Sequence, residues 1–130
     1  AIEQRKFEIE SDYKSLMQKD LGLEIEYNDF CWARMVVCSR IFGIVIGDQK
    51  TDALVPLADM LNHGVMKQTI WSYSNDKEGF VIESIENIPK GVQIFDSYGR
   101  KSNSRFLLNY GFVIESNESD EIVTKCLFSK

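Results

Sequence analysis

Residues 56–64 read PLADMLNHG, and residues 88–113 read IPKGVQIFDSYGRKSNSRFLLNYGFV. The first stretch sets Asp59, Asn62 and His63, the only histidine of the chain, in an otherwise apolar run between Pro56 and Gly64. Polar groups in a segment built for burial need partners, so these three imply either local hydrogen bonding or a ligand. A single histidine with no cysteine or histidine beside it does not build a zinc site, and Asp59 is thin support for one. No serine or cysteine motif accompanies it for use as a general base. The plain alternative is a histidine that ends a helical turn and bonds a nearby carbonyl. Its company argues for more: Asp59 precedes it by a helical turn, and the Asn62 amide offers both donors and acceptors to a zwitterionic ligand.

The second stretch contains two Tyr-Gly pairs, Tyr98-Gly99 and Tyr110-Gly111, at opposite ends of SNSRFLLNYG. That segment reads as a short capped helix, starting at Ser102 or Asn103 and ending at Gly111. Each tyrosine can be a structural ring with its hydroxyl at the surface. Two of them bracketing one helix suggest phenols that converge. Arg40 is a further candidate, because an arginine on an apolar helical stretch needs an anion or a route to water.

The 130 residues are at most one domain's worth of chain, and 44% apolar content is ample for a core. A net charge of −5 argues against a nucleic-acid binder and suits a basic substrate. Cys31, Cys38 and Cys126 are odd in number and lack the CxxC spacing of a zinc site, which suggests packed thiols in a reducing compartment. No apolar stretch is long enough to span a bilayer, and AIEQRKFEIE is too charged for a signal peptide. The expected location is cytoplasmic or nuclear, with no membrane or nucleic-acid partner.

The pattern is α+β, a helical first third followed by short strands and tight turns. AIEQRKFEIESDYKSLMQKD predicts a surface helix with a break near Ser11-Asp12, and FCWARMVVCSRIF a second helix, buried between neighbours and capped by Asn28 or Asp29. GIVIG reads as a helix end passing into a short extended run, and DQKTD as a loop. TIWSYS and GFVIES flank NDKE as a hairpin, VQIFDSY is a short strand, and EIVTKCLF a last one.

Together the Asn-His motif, the Lys90-Gly91 turn and the Tyr98-Gly99…Ser102-Asn103 run resemble, in order and spacing, the C-terminal half of SET-domain protein methyltransferases. The closer resemblance is to the branch containing the Rubisco large-subunit lysine methyltransferase and the actin histidine methyltransferase. It implies the short-sheet β-clip fold with a knot-like C-terminal segment, and S-adenosylmethionine as methyl donor. It also implies three segments: 1–50 as helical insert, 51–115 as the C-terminal half of the SET domain, and 116–130 as a linker or strand towards a further domain. By position, Arg40, Asp59, Asn62, His63 and Tyr98 are implied at the cofactor, Tyr98 beside the transferring methyl, and Phe42, Tyr110 and Phe112 around the substrate. Phe42 stands where the histidine-directed enzymes carry asparagine, so a lysine of a protein substrate is the expected acceptor. No G-x-G segment occurs, which makes a fragment of a larger enzyme the expectation, and Gly64 stands where serine is frequent. The alternatives are an inactive SET-like protein-binding module and a protein-histidine methyltransferase; strand edges exposed by a half-fold leave room for a domain-swapped dimer.

Overall fold

The computed structural model describes residues 2–122 and 124. Helix α1 (Ile2–Met17) runs unbroken through Ser11 and Asp12. The expected break fails because both residues find partners: the Ser11 carbonyl accepts from Ser15 Oγ at 2.9 Å, and the Asp12 carboxylate lies 3.2 Å from Arg34 Nε on the next helix. Helix α2 (Tyr27–Arg40) has Glu26 at its N-cap, two to three residues before the Asn28 or Asp29 cap expected, and no side chain caps it. Tyr13 of α1 donates its hydroxyl to the Ile25 carbonyl at 2.8 Å, and its ring packs on Tyr27 and Phe30. Contrary to expectation α2 buries no residue, and Trp32 is 70% exposed; α1 and α3 are the main elements packed on this helix among the described residues.

The chain then enters three two-stranded sheets. Strands β1 (Ile41–Ile46) and β2 (Gln49–Leu54) form an antiparallel hairpin, turning at Gly47 with φ +59°. The DQKTD stretch expected as a loop is therefore mostly strand. Its side chains from Gln49 to Asp52 are all exposed, so no apolar alternation announces it; pairing with IFGIVI supplies what propensity lacks. A 3₁₀ turn (Ala58–Met60) leads into β3 (Asn62–His63). Strands β4 (Thr69–Ser74) and β5 (Gly79–Ser84) are the expected hairpin. The strand expected over VQIFDSY shrinks to β6 (Phe95–Asp96), which lies parallel to β3 with Asn62 opposite Phe95 and His63 opposite Asp96. Helix α3 (Asn103–Tyr110) has Ser102 as N-cap and Gly111, at φ +81°, as its left-handed end, as the sequence predicts. The last strand, over EIVTKCLF, and Cys126 fall largely or wholly outside the described residues.

His63 is the hub of the central packing. Its ring centroid lies 4.9 Å from Phe106, 5.2 Å from Tyr98 and 5.9 Å from Phe112. Phe106 is 1% exposed, the most deeply buried large side chain of the described residues. The Tyr98 backbone N–H donates to His63 Nδ1 at 3.1 Å, so the side chain bonds an amide rather than the expected carbonyl, and the neutral ring carries its proton on Nε2. Desolvation, and then the positive charge of Lys101, lower the His63 pKa below the ordinary 6.5.

A second polar lock fastens the segment after α3. Asn103 Oδ1 accepts the Ile114 N–H at 2.9 Å and its Nδ2 donates to the Ile114 carbonyl at 2.9 Å. Asn117 Nδ2 donates to the Lys101 carbonyl at 2.9 Å and to Asn103 Oδ1 at 3.1 Å.

Two outcomes are expected. Replacing Asn103 by alanine removes both bonds to Ile114 and lowers stability by about 2 kcal/mol in urea denaturation. Below pH 6.5 the unfolded chain binds a proton at its single histidine that the folded chain resists, so stability falls as pH drops from 7 towards 5.5. His63→Gln flattens that slope in the same denaturation series.

Candidate functional site

Five pieces of the fold converge on one cavity of about 400 Å³, lined by Ser39, Arg40, Asp59, Met60, Asn62, His63, Tyr98, Tyr110 and Phe112. Ser39 and Arg40 come from the last turn of α2, and Asp59 and Met60 from the 3₁₀ turn. Asn62 and His63 are β3 itself, and Tyr98 follows β6. The left-handed Gly111 turns the chain at the end of α3, placing Tyr110 and Phe112 on the same wall. All seven sequence candidates other than Phe42 are thus brought together.

The partners within the wall limit what each side chain can offer. Arg40 Nη1 donates to the Asp59 carbonyl at 2.9 Å and to its carboxylate at 3.2 Å. Asp59 therefore tethers the arginine to the 3₁₀ turn and neutralises its charge. The Tyr98 hydroxyl donates to the Leu61 carbonyl at 2.6 Å, which fixes its proton on protein and leaves its oxygen lone pairs to the cavity. Burial, and then the negative charge of Asp96, push the Tyr98 pKa above the ordinary phenol value, and burial does the same for Tyr110. Both phenols are neutral at physiological pH. Their ring centroids lie 4.9 Å apart, so the rings do converge, and the Lys101 ammonium sits 5.8 Å from the Tyr110 centroid while donating to the Tyr98 carbonyl. Asn62 is exposed at the cavity edge, and its side chain makes no hydrogen bond among the described residues.

Phe42 lines a second cavity of about 300 Å³ that shares Ser39, Arg40, Asp59, Tyr98 and Tyr110 with the first. The two spaces therefore meet at the Tyr98 ring and the Arg40–Asp59 pair. Phe42 meets Trp71 edge-on at 5.2 Å and Phe80 at 5.1 Å, while Trp71 stacks on Phe80 at 5.8 Å. The sequence reading missed Trp71 and Asp96, both of which line this cavity. The hairpin register offered a signal for Trp71, which alternates with exposed Ile70 and Ser72 and so faces inward. Asp96 had no such signal, since it reads as part of a strand run-out before Tyr98. Among the described residues no group of His, Cys, Asp and Glu is arranged to hold a metal ion, and no helix is long and apolar enough to cross a membrane.

No family model matches the chain. The ribosomal lysine N-methyltransferase set10 of Schizosaccharomyces pombe is 33% identical to it over 100 residues, 74% of this chain and 18% of that protein. SET domain-containing protein 4 of Artemia parthenogenetica is 31% identical over 115 residues, 83% of this chain and 28% of that protein. The actin-histidine N-methyltransferase of Homo sapiens is 33% identical over 107 residues, 80% of this chain and 18% of that protein. The crystal structure of the SET domain of LSMT bound to lysine and AdoHcy superposes with a TM-score of 0.72 at 22% identity, over 89% of this chain and 28% of that one. The chain thus spans 18% to 28% of the length of these relatives. With its motifs in order on this fold, the chain belongs to the SET-domain family of protein methyltransferases.

Proposed function

We propose that this chain is the methyl-donor-facing part of a protein-lysine N-methyltransferase that uses S-adenosylmethionine. The observation that carries this reading is the convergence of Arg40, Asp59, Asn62, His63, Tyr98, Tyr110 and Phe112 on one cavity. Its volume of about 400 Å³ lies within the roughly 300–1,000 Å³ of small-molecule sites. The donor set also suits the ligand. Arg40 and the unengaged Asn62 amide match a carboxylate and an ammonium, and the aromatic wall matches a flat base and a sulfonium. When bound, S-adenosylmethionine supplies an electrophilic methyl group on a positively charged sulfur.

On this reading Asn62 and Arg40 hold the amino-acid end, with Asp59 orienting the arginine and the 3₁₀ turn. His63 contributes through its backbone, its side chain being committed to Tyr98 and the aromatic core. Tyr98 lies beside the transferring methyl, and its oxygen lone pairs oppose the partial positive charge that develops there. The Leu61 carbonyl keeps that oxygen in place. Tyr110 and Phe112 exclude water from the neighbourhood, and Phe42 with Trp71 bounds the adjoining space for the acceptor. An apolar ring at Phe42 offers no hydrogen bond to an imidazole, which favours lysine over histidine as acceptor. Residues 1–50 then act as the insert segment, helical as far as Arg40, 51–115 as the C-terminal SET half and 116–130 as the lead into a following domain.

Calorimetric titration of S-adenosylhomocysteine into the chain tests the site. Saturable binding that Asn62→Ala weakens at least tenfold is the expected result; binding indifferent to that substitution would sink the assignment. Tyr98→Phe is expected to leave that affinity within about threefold while lowering methyl incorporation into a lysine-containing peptide library about 100-fold in the full-length protein. Equal activity of the variant would remove Tyr98 from the chemistry.

A further inference from the structure

The second cavity contains one charged side chain for which the proposed donor site has no use. Asp96 is 4% exposed and lines this cavity with Phe42, Trp71, Tyr98 and Tyr110. Its only hydrogen bond through the side chain among the described residues joins Oδ1 to Thr69 Oγ1 at 3.1 Å. The same hydroxyl lies 3.2 Å from the Phe95 carbonyl. One hydroxyl proton thus serves two acceptors, and the carboxylate receives less than one full hydrogen bond from the described residues. Oδ2 has no hydrogen-bond partner among the described residues, and the residue lines the open space of the second cavity.

The charges around it do not repair this. No lysine or arginine pairs with Asp96 among the described residues. Arg40 lines the same cavity but is held by Asp59 through its carboxylate and carbonyl. The register partner His63 has its Nδ1 occupied by the Tyr98 amide, and Tyr98 and Tyr110 are neutral phenols. With Arg40 and Asp59 cancelling, Asp96 is the remaining charged residue of the cavity lining among the described residues, inside a frame of aromatic rings; the Lys101 ammonium, bonded to the Tyr98 carbonyl, is not part of that lining. A buried carboxylate short of donors and a set of ring faces ask for the same occupant, a compact cation that can donate a hydrogen bond.

We infer that Asp96 is a specificity-determining residue whose carboxylate receives the protonated amine of the acceptor, so that the second cavity selects an alkylammonium over a neutral imidazole or a neutral chain of equal length. The inference rests on the proposed methyl-transfer reading for the identity of the occupant as an acceptor. It assigns to Asp96 a contact that the sequence motifs did not suggest. Capture of the ammonium precedes any loss of its proton, and the apolar stem lies along Phe42 and Trp71.

The test is titration of the chain with n-butylammonium chloride, n-butanol and 4-methylimidazole at pH 8, followed by the indole N–H resonances. Trp71 reports on the cavity, and Trp32, 70% exposed on α2, is the internal control. A saturable shift of Trp71 alone with n-butylammonium is expected, with both neutral probes at least tenfold weaker. Asp96→Asn should weaken the ammonium at least tenfold, whereas Thr69→Val, which removes the competing hydroxyl and keeps the charge, should not weaken it. Equal binding by Asp96→Asn, equal binding of n-butanol, or no saturable Trp71 response to the ammonium would each overturn the inference. If Asp96→Asn does not fold, the probe comparison on the wild-type chain and on Thr69→Val still decides. S-adenosylhomocysteine added to the same samples separates the two readings. Its binding with no ammonium response overturns the role of Asp96 alone, and the reverse pattern overturns the donor site alone.

Discussion

Everything that faces the two cavities hangs on a parallel pairing only two residues long. Asn62 and His63 lie beside Phe95 and Asp96, and the contact is extended past its C-terminal end by bonds outside the strand ladder. The Gly64 N–H donates to the Asp96 carbonyl at 2.7 Å, and the Tyr98 N–H donates to the His63 ring at 3.1 Å. Each such bond contributes only about 1 kcal/mol net. The junction holds because Phe106 and Phe112 pack on the same imidazole, so backbone register and aromatic core fix each other. A neutral histidine is what this joint requires, and burial supplies it.

That joint also explains why the candidate site lacks a strong base or metal cluster among the described residues. Three polar side chains of the first wall are tied to protein in a way that exposes one defined face: Arg40 through Asp59, Tyr98 through Leu61, His63 through Tyr98. Such a wall aligns and shields reactants; it does not move protons itself. The same Tyr98 ring divides the two spaces, so a donor on one side and an acceptor on the other would meet across a single neutral phenol.

Much of this could be read from the residues in order. The caps of α3, the hairpin around NDKE and the polar cluster Asp59, Asn62 and His63 are local patterns, and local patterns survive in a sequence. What escaped was decided by partners distant in the chain. Asp12 sits comfortably in α1 because Arg34 reaches it, and Gln49 to Asp52 extend because β1 pairs with them. The faces of α2 read as buried, yet nothing among the described residues covers Trp32. Asp96 looks like one more polar residue near a turn until the fold closes Trp71 and Phe42 around it.

Gly64 and Phe95 carry a consequence for the way this segment can change. A Cβ placed on Gly64 would lie 2.8 Å from Phe95 Cβ and 3.2 Å from the Met66 carbonyl, closer than side chains tolerate. Neither neighbour is the free end of a flexible chain. The space that a serine after the Asn-His pair would fill is taken here by the root of a phenylalanine from the opposite strand. The closest clash is with a Cβ that every residue but glycine carries at 95, so a side chain fits at 64 only if β6 shifts outward. Such a shift opens the very joint that sets His63 against Tyr98, so it is the spacing of two backbones, rather than the size of one side chain, that holds glycine at this position.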